Sequence, residues 1–203
     1  MPKIKLTKSA LKQQRDSLKQ FQRFLPTLQL KKQQLQLEMR KCQDAIMALH
    51  EEEDKFIEKL NSWIALFGEQ EWVKKISDAL TVQRINTENH NIAGVDIPVF
   101  ESVDFHVEAY DLFTEDSGLD DSINAVKKMI ELKIRKAIIE EQYKRIGNEL
   151  RTTTQRVNLF EKVKIPEAKE NIRIIQIYLG DQDTAGVARA KIAKSKLQEL
   201  PAA

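Results

Sequence analysis

The side chains of this sequence that could do chemistry are a short acidic run and three histidines. Residues 51–54 read Glu-Glu-Glu-Asp and could be taken for a metal site. Consecutive helical positions point around the helix instead of converging, so this pattern favours a solvated charged face. His50, His90 and His106 are dispersed along the chain, and none has a second base or ligand nearby in the sequence. The sequence therefore indicates no catalytic and no metal-binding constellation.

Sequence motifs of known catalytic and cofactor sites are missing as well. The chain contains no GxxxxGK[ST] phosphate loop, no GxGxxG, no HExxH and no GxSxG. The acidic stretch 101–121 lacks the ordered spacing of a calcium loop. The single cysteine, Cys42, permits no disulfide within one chain and no paired-cysteine zinc or redox motif. We expect a protein that is not an enzyme, with no catalytic, cofactor-binding or metal-binding residues.

The composition is typical of long helices. Of 203 residues, 32% are charged, and six Gly with five Pro leave few turns. No apolar run approaches the roughly 20 residues that span a bilayer, and the first 24 residues lack the apolar core of a secretory signal. We expect a cytosolic protein without direct membrane insertion, in which Cys42 packs as a small apolar residue.

A heptad seam over residues 11–67 organises the chain. Fourteen of its seventeen positions are apolar, and Gln, Lys, Arg and Glu dominate between them. A narrow apolar stripe with this period predicts a long coiled-coil helix, continuous through a bend at Pro26 and ended by Gly68. The seam positions are Leu11, Gln14, Leu18, Phe21, Leu25, Leu28, Lys32, Leu35, Met39, Cys42, Ile46, Leu49, Glu53, Phe56, Leu60, Trp63 and Phe67.

An insert follows, in which the period of the apolar residues changes. Residues 69–80 have helical spacing, whereas apolar residues fall on odd positions from Val95 to Val107, as in strands. We expect a short strand over 80–85, a turn-rich connection over 86–94, and Pro98 at an edge or a break. The product is a small β-hairpin that projects from the end of the coil and is too small to hold its own core.

A second long helix begins near Asp121 or Ser122, either of which can cap it. Its pattern is interrupted at Pro166 and resumes out of phase at Ile172, Ile175 and Leu179, which predicts a local change in supercoil. Eight of its ten seam positions before the interruption are apolar: Met129, Leu132, Lys136, Ile139, Tyr143, Ile146, Leu150, Thr153, Val157 and Phe160.

The two helices predict a mainly α fold: a long antiparallel two-helix coiled coil with an inserted short helix and β-hairpin. We divide it into 1–67 (first helix), 68–121 (insert) and 122–203 (second helix), as one elongated domain. Dimerisation between chains is the competing arrangement, which heptads alone do not exclude. Pairing within one chain brings the two basic termini together at one tip and the acidic segment 85–122 to the other end.

The basic tip is compatible with three partners. Residues 1–24 hold seven Lys or Arg against one Asp. Nucleic-acid binding requires interleaved aromatics, of which only Phe21 and Phe24 lie nearby. A membrane-surface helix requires a broad apolar face, whereas this face is a narrow seam. A protein collar around the tip is the third possibility, and periodicity does not choose among them.

A family resemblance makes the choice. The run Gln155-Arg156-Val157-Asn158-Leu159-Phe160-Glu161, then Ile165-Pro166, then Ile172, Ile175 and Leu179, resembles the C-terminal signature of the D subunit of V-type and A-type rotary ATPases. Leu6 to Leu11 is similar to the family's N-terminal start, Leu28 to Leu35 to its leucine- and lysine-rich stretch, and Gly94 to Pro98 to its G-V-x-V-P strand. The resemblance covers nearly the whole chain, in order.

The resemblance implies a central rotor shaft (central stalk) that couples ATP synthesis or hydrolysis to proton or sodium transport. Its expected partners are the catalytic and regulatory subunits of the ring (A and B), the small F subunit of the stalk and the subunit that connects to the membrane ring, with no nucleic acid. The protein is then cytoplasmic and peripheral to the membrane, as part of the complex. Arg156, Asn158 and Pro166 belong to the signature region of the shaft. A coiled-coil tether or adaptor between two partners is the alternative.

Overall fold

A computed structural model of the chain describes residues 5–61, 70–108 and 118–199. The described residues form a long N-terminal helix, a long C-terminal helical segment, a small helix and a two-stranded antiparallel sheet, as predicted. The division into 1–67, 68–121 and 122–203 stays a prediction. The elements are α1 (Lys8–Leu60), α2 (Gln70–Ala79), β1 (Leu80–Ile92), β2 (Val95–Val107), α3 (Leu119–Asn158), a π-helical turn (Leu159–Lys164) and α4 (Ile165–Glu199).

The seam of α1 is confirmed as its buried face. Every seam position from Leu11 to Leu60 is buried or half-buried. The helix passes through Pro26 without interruption, and it begins where Thr7 Oγ1 accepts a hydrogen bond from the Ala10 amide at 3.2 Å. This is an N-cap, which satisfies one of the otherwise unpaired amides of the first turn. Trp63, Phe67 and Gly68 lie outside the described residues.

The chain divides into two compact units. We call residues 1–31 with 152–203 the terminal unit, and residues 32–151 the central unit. Both names refer to position in the sequence. Each unit contains parts of α1 and of the C-terminal helical segment, so each has its own section of the predicted seam.

In the central unit, α1 and α3 run antiparallel. Glu53 Oε2 lies 3.3 Å from Lys136 Nζ, and nearer the two chain termini Cys42 Sγ lies 3.9 Å from Gln142 Oε1. Positions that rise along α1 therefore meet positions that fall along α3. The core between them contains Leu35 and Ile146, both with no exposed surface.

The hairpin of the central unit is longer than predicted. β1 runs from Leu80 to Ile92, so the expected connection over 86–94 is wrong except for its last two residues. The physical reason is that β1 buries neither face: along its thirteen residues, none is fully buried and three are half-buried. A strand without a buried face has no reason to alternate apolar and polar residues, so it lacks the period-two signal.

Two residues connect the strands. Ala93 and Gly94 both have positive φ, 51° and 79°, as a type I′ hairpin turn requires. Glycine accepts this conformation freely, whereas an alanine there is unfavourable. Ala93 packs against the core around Leu35, and Asn91 Oδ1 accepts a hydrogen bond from the Gly94 amide at 3.0 Å. These contacts offset the unfavourable φ of Ala93.

The hairpin lies along α1 and α3 instead of projecting from their end. Ile97 of β2 is 4% exposed and shares one core with Leu35, Cys42 and Ile146. At the opposite end of the hairpin, a second core forms from buried side chains of α2 and α3, with Leu80 and Val107 packed against it: Ile76, Leu119 and Ile123. The sheet is buried against the helices chiefly through β2, since β1 is mostly exposed.

The start of α3 also differs from the prediction. The helix begins at Leu119, after Gly118 with φ of 111°, so neither Asp121 nor Ser122 is its cap. Ser122 Oγ instead donates a hydrogen bond to the Gly118 carbonyl at 2.8 Å, and Asp120 and Asp121 occupy the first turn. Carboxylates there interact favourably with the helix dipole.

In the terminal unit, α1 pairs with the end of α3, the π turn and α4. The rings of Phe21 and Phe160, both seam residues, lie with centroids 5.4 Å apart. A shallow cavity beside them is lined from both sides, by Gln14 and Ser17 of α1 and by Ala168 and Asn171 of α4 among others. Since the earlier residues of α1 meet the later residues of α4, the pairing is again antiparallel.

The predicted phase skip has a structural cause in the π turn. Up to Phe160 the buried positions follow the predicted seam, whereas Ala168, Ile172, Ile175 and Leu179 lie one residue later than its continuation. The Ile165 amide bonds to the Phe160 carbonyl, five residues back. A π turn accommodates one additional residue within a helix. The turn therefore absorbs the one-residue skip, and α4 keeps its apolar side in the interface.

Candidate interaction surfaces

The acidic run 51–54 does not form a site. Glu51 lies 3.7 Å from Lys55 on its own helix, Glu52 lies 3.5 Å from Lys128 of α3, and Glu53 is the half-buried partner of Lys136. The carboxylates therefore point in different directions. Within residues 5–61, 70–108 and 118–199, no three His, Cys, Asp or Glu side chains are grouped to hold a metal ion.

Cys42 packs as the sequence predicts. Its side chain is 7% exposed, in the core shared by α1, α3 and the hairpin. Burial raises the pKa of the thiol above its ordinary value, the nearby Glu38 carboxylate raises it further, and Lys41 opposes this. A thiol that is buried and resists ionisation is a poor nucleophile, so its role is packing.

Three side chains of α3 hold the hairpin against the helices, and we call Arg135, Gln142 and Arg145 the hairpin clamp. Gln142 Nε2 donates to the Pro98 carbonyl, and Arg145 Nη1 donates to the Asp96 carbonyl at 3.2 Å. The Arg135 guanidinium lies 5.0 Å from the centre of the Phe100 ring, in cation–π geometry. The outer edge of β2 is thereby hydrogen-bonded to a helix.

The sequence does not reveal the hairpin clamp. Arg and Gln on the flank of a coiled-coil seam are ordinary solvent-facing residues, and nothing marks them as contacts of a strand. One signal exists in retrospect: positions 135, 142 and 145 are separated by seven and three residues, which places them on a single side of α3. Such a polar stripe beside the seam is expected where a third element packs.

The signature residues are on the surface of the terminal unit. Arg156, Asn158 and Pro166 are all exposed, while Val157 between the first two is 4% exposed. Arg156 and Asn158 are the last residues of α3 before the π turn, and Pro166 is the second residue of α4. Among the described residues, no side chain or backbone group forms a hydrogen bond or an ion pair with the side chain of Arg156 or Asn158. Their side chains are therefore available to another molecule.

These residues do not converge on one point. Positions two apart on a helix lie about 200° apart around its axis, so Arg156 and Asn158 point to nearly opposite flanks of the buried Val157. The arrangement suits contact with partners around the helix and does not suit a pocket. Apolar side chains of the π turn that follows Asn158 are also exposed, with Leu159 45% and Val163 50% accessible.

Cations are concentrated in the terminal unit. Lys8, Lys12, Arg15, Lys19 and Arg23 are all exposed on α1, and none makes an ion pair with another described residue. The other basic run, from Arg189 to Lys196, is exposed in the same unit. Unpaired surface charge of one sign is suited to a partner of opposite charge.

Within residues 5–61, 70–108 and 118–199, no helix is long and apolar enough to cross a bilayer.

The fold places the chain in the class of α-helical coiled-coil proteins. Its signature residues and its cations on α1 are exposed and dispersed over the surface. Comparison with known proteins is more specific. The model of the ATP synthase D-subunit family matches residues 10–195. The chain belongs to this family.

The chain is similar to named relatives over nearly its full length. The V-type ATP synthase D subunit of Borreliella burgdorferi is 45% identical over 201 residues, covering 97% of this chain and 96% of the relative. The proteins of the same name from Chlamydia abortus and Chlamydia pneumoniae are 30% and 31% identical, covering 97% and 96% of this chain and 94% and 93% of theirs.

Proposed function

We propose that the protein is the central-stalk rotor shaft of a V/A-type ATP synthase or ATPase. It couples ATP synthesis or hydrolysis in a catalytic hexamer to proton or sodium transport across the membrane. The observation that carries this proposal is the buried seam along both long helices, in a chain whose family match extends over residues 10–195. A shaft that transmits torque requires such a packed interface along its length.

The mechanism is mechanical, and the shaft is not itself catalytic. As an asymmetric shaft turns, each orientation favours a different nucleotide state at each surrounding interface, because the differential contact energy shifts the conformational equilibrium of that interface. The outward face of the shaft must slide without strong attachment at one position. Exposed Lys, Gln and Glu side chains along α1 are consistent with this requirement.

The partners are the catalytic A and regulatory B subunits of the ring, the small F subunit of the stalk and the subunit that connects to the membrane ring. The exposed cations of residues 5–24 support placing the basic termini in the ring. The acidic residues of the insert support placing it toward the F subunit and the membrane side. The protein is cytoplasmic and peripheral to the membrane through this complex.

The signature residues contribute ring contacts in this proposal. Arg156 and Asn158 are unpartnered among the described residues, and they flank the buried Val157. Side chains in this position can touch the ring while the seam beneath them stays packed. Pro166 follows the π turn, where its missing amide is tolerated because the helical hydrogen bonding is already altered.

A mild affinity purification of the tagged protein from native membranes tests the function. Recovery of both ring subunits and the small stalk subunit in fixed proportion, with ATP hydrolysis, is the expected result. A stable homodimer recovered without any of them contradicts the shaft and supports the tether. The mass of the purified chain by light scattering provides the matching control, since a shaft is present in one copy.

Cysteine crosslinking tests the polarity of the shaft. In a Cys42→Ala background, Ser9→Cys places a thiol in the terminal unit, and His90→Cys places one on the hairpin; both positions are exposed. We expect the first to crosslink to ring subunits and the second to the small stalk subunit. The reverse pattern would refute the proposed polarity without affecting the rotor function.

A further inference from the structure

The two edges of the hairpin are treated differently. On β2, the carbonyls of Asp96 and Pro98 are bonded by Arg145 and Gln142 of the hairpin clamp. On β1, all residues except Leu80, Asn86 and Ile92 are exposed. Natural sheets cover, shorten or charge their edges, because an open edge pairs with other strands. Within residues 5–61, 70–108 and 118–199, one edge of this hairpin is bonded to a helix, and the other has no such bond.

The pairing register shows which backbone groups of β1 face outward. Asn91 is opposite Asp96 and Asn89 is opposite Pro98, the two residues whose carbonyls point away from β1. In an antiparallel ladder, such residues form non-hydrogen-bonded pairs, so the N–H and C=O of Asn89 and Asn91 also point outward. Pro98 agrees, since it has no N–H to donate to β1.

Hydrogen-bonded and non-hydrogen-bonded pairs alternate along a regular ladder, so further residues of β1 with outward-pointing backbone groups can be identified. The register is regular from Thr87 to Ile92, with irregularities only earlier in β1. Ile92 closes the two-residue turn and is therefore a hydrogen-bonded position, which fits the outward assignment of Asn91. Thr87, Asn89 and Asn91 thus present a row of backbone donors and acceptors. Among the described residues, nothing bonds to these groups from outside the hairpin.

The charge of the hairpin indicates which kind of segment would dock on the edge of β1. Residues 85–108 contain five carboxylates and no Lys or Arg. The carboxylates of Asp96 and Asp104 accept hydrogen bonds from Asn91 and Asn86, at 2.6 and 3.0 Å. Glu88 lies on the open strand itself, 3.7 Å from His90 and without a Lys or Arg partner among the described residues. A strand that docks here is favoured when it carries Lys or Arg.

We propose that the Thr87–Asn91 edge of β1 is a strand-docking site, occupied by an extended, Lys- or Arg-bearing segment of another subunit of the same complex. Main-chain hydrogen bonds to Thr87, Asn89 and Asn91 supply the affinity, as in β-augmentation, and the carboxylates select a basic strand. This inference rests on the proposed rotor function, because it draws the partner from that complex.

Amide hydrogen exchange in the assembled complex tests the site. The amides of Thr87, Asn89 and Asn91 are expected to exchange about 100-fold more slowly in the complex than in the isolated chain, because each becomes hydrogen-bonded. Glu88 and His90, whose amides bond within the hairpin, serve as internal controls and stay protected in both. If the complex is complete and hydrolyses ATP while the three amides exchange freely, the docking site is refuted and the rotor function stands.

Two variants of Asn89 test whether the outward-pointing amide of this residue contributes to strand docking. Asn89→Pro removes one outward donor without breaking a cross-strand bond, whereas Asn89→Thr keeps it. We expect the proline variant to lose protection at Thr87 and Asn91 and the threonine variant to keep it. If Glu88 and His90 also lose protection in the proline variant, the hairpin has been damaged, and substitutions of Glu88 test the site instead.

The charge of the occupant is tested separately. Glu88→Lys is expected to lower the protection of Asn89 and Asn91 in the complex, and Glu88→Gln to lower it less. A photo-crosslinking residue at Thr87 should join to a peptide with Lys or Arg in an extended segment. Equal protection in all three Glu88 forms, or a crosslink to an acidic or helical segment, would overturn the proposed occupant.

Discussion

The terminal and central units solve the same packing problem in different ways. In the central unit, α1 and α3 are joined by a third element, the hairpin, and by two ion pairs that cross the interface, Glu52–Lys128 and Glu53–Lys136. In the terminal unit, the described ion pairs Lys164–Glu167 and Arg173–Glu170 lie within the C-terminal helical segment. In that unit, the π turn keeps the apolar side of α4 in the helix interface.

This difference teaches what fixes the alignment of two long helices. A repeating apolar seam tolerates sliding by whole heptads, because one Leu or Ile replaces another. A polar pair within the seam, or a strand laid across both helices, does not tolerate it, since sliding leaves buried polar groups without partners. The two ion pairs and the hairpin therefore specify the alignment in the central unit. In the terminal unit, Lys8, Lys12, Arg15, Lys19 and Arg23 are exposed.

The largest expected effect comes from deleting one residue. Deleting the exposed Lys144 moves the following seam positions of α3 around the helix, exposing Ile146 and its successors, and we expect loss of cooperative unfolding. Deleting the exposed Val163 removes the additional residue of the π turn, and α4 stays in phase as an ordinary α-helix. Circular dichroism with thermal unfolding compares the two. Equal damage from both deletions would contradict the role assigned to the turn.

Core truncation in the central unit should have the next largest effect. Leu35→Ala leaves a cavity among Cys42, Ile97 and Ile146, and we expect a loss of about 3 kcal/mol in the free energy of unfolding. Leu37→Ala on the same helix is the matched control: Leu37 is 54% exposed, so its truncation should cost less than about 0.5 kcal/mol. Urea titration measures both. Similar losses would mean that the core is misassigned.

A smaller effect is expected from the seam ion pair. The side chains of Glu53 and Lys136 are 17% and 22% exposed. Lys136→Met leaves Glu53 without its partner and should cost about 1–2 kcal/mol, whereas adding Glu53→Leu should recover most of it. A double-mutant cycle by urea unfolding gives the coupling energy. Zero coupling would show that the pair does not fix the alignment.

The smallest expected effect is the contribution of Cys42 to the pH dependence of the free energy of unfolding. Because burial raises the pKa of this thiol in the folded state, the folded state holds the proton more tightly than the unfolded state does. The associated stability is present below the ordinary thiol pKa and is lost as pH rises through the raised pKa of the folded state. Iodoacetamide labelling should be slow for Cys42 and faster for an exposed thiol in His50→Cys. Equal labelling rates in the folded protein would contradict the burial.

The parts of this fold that sequence predicts are those with a repeating burial pattern. The seams from Leu11 to Leu60 and from Met129 to Phe160 bury one side of each helix continuously, and in β2 every odd position except Glu101 is buried or half-buried, so these periods are visible in the sequence. The phase skip near Pro166 is visible too, but a shifted pattern does not say whether a kink, a loop or a π turn absorbs it.

The parts that sequence misses lack such a repeat. β1 continues to Ile92 with little burial on either face, so its polar residues resemble a connection. The hairpin clamp consists of Arg135, Gln142 and Arg145, whose partners are backbone carbonyls and one aromatic ring. Such contacts depend on where the hairpin lies, which local spacing does not encode. The signature residues are identified by resemblance, and the structure adds where they lie on the helical surface.

The π turn also has a genetic consequence. An in-frame insertion or deletion of one codon rotates everything downstream on a helix by about 100°. Most positions of a coiled coil therefore cannot accept it. At Leu159–Lys164 one additional residue is already confined to a single turn, so a codon lost there restores a regular helix. Single-codon length differences among related genes should accordingly collect at this turn and be scarce elsewhere in the long helices.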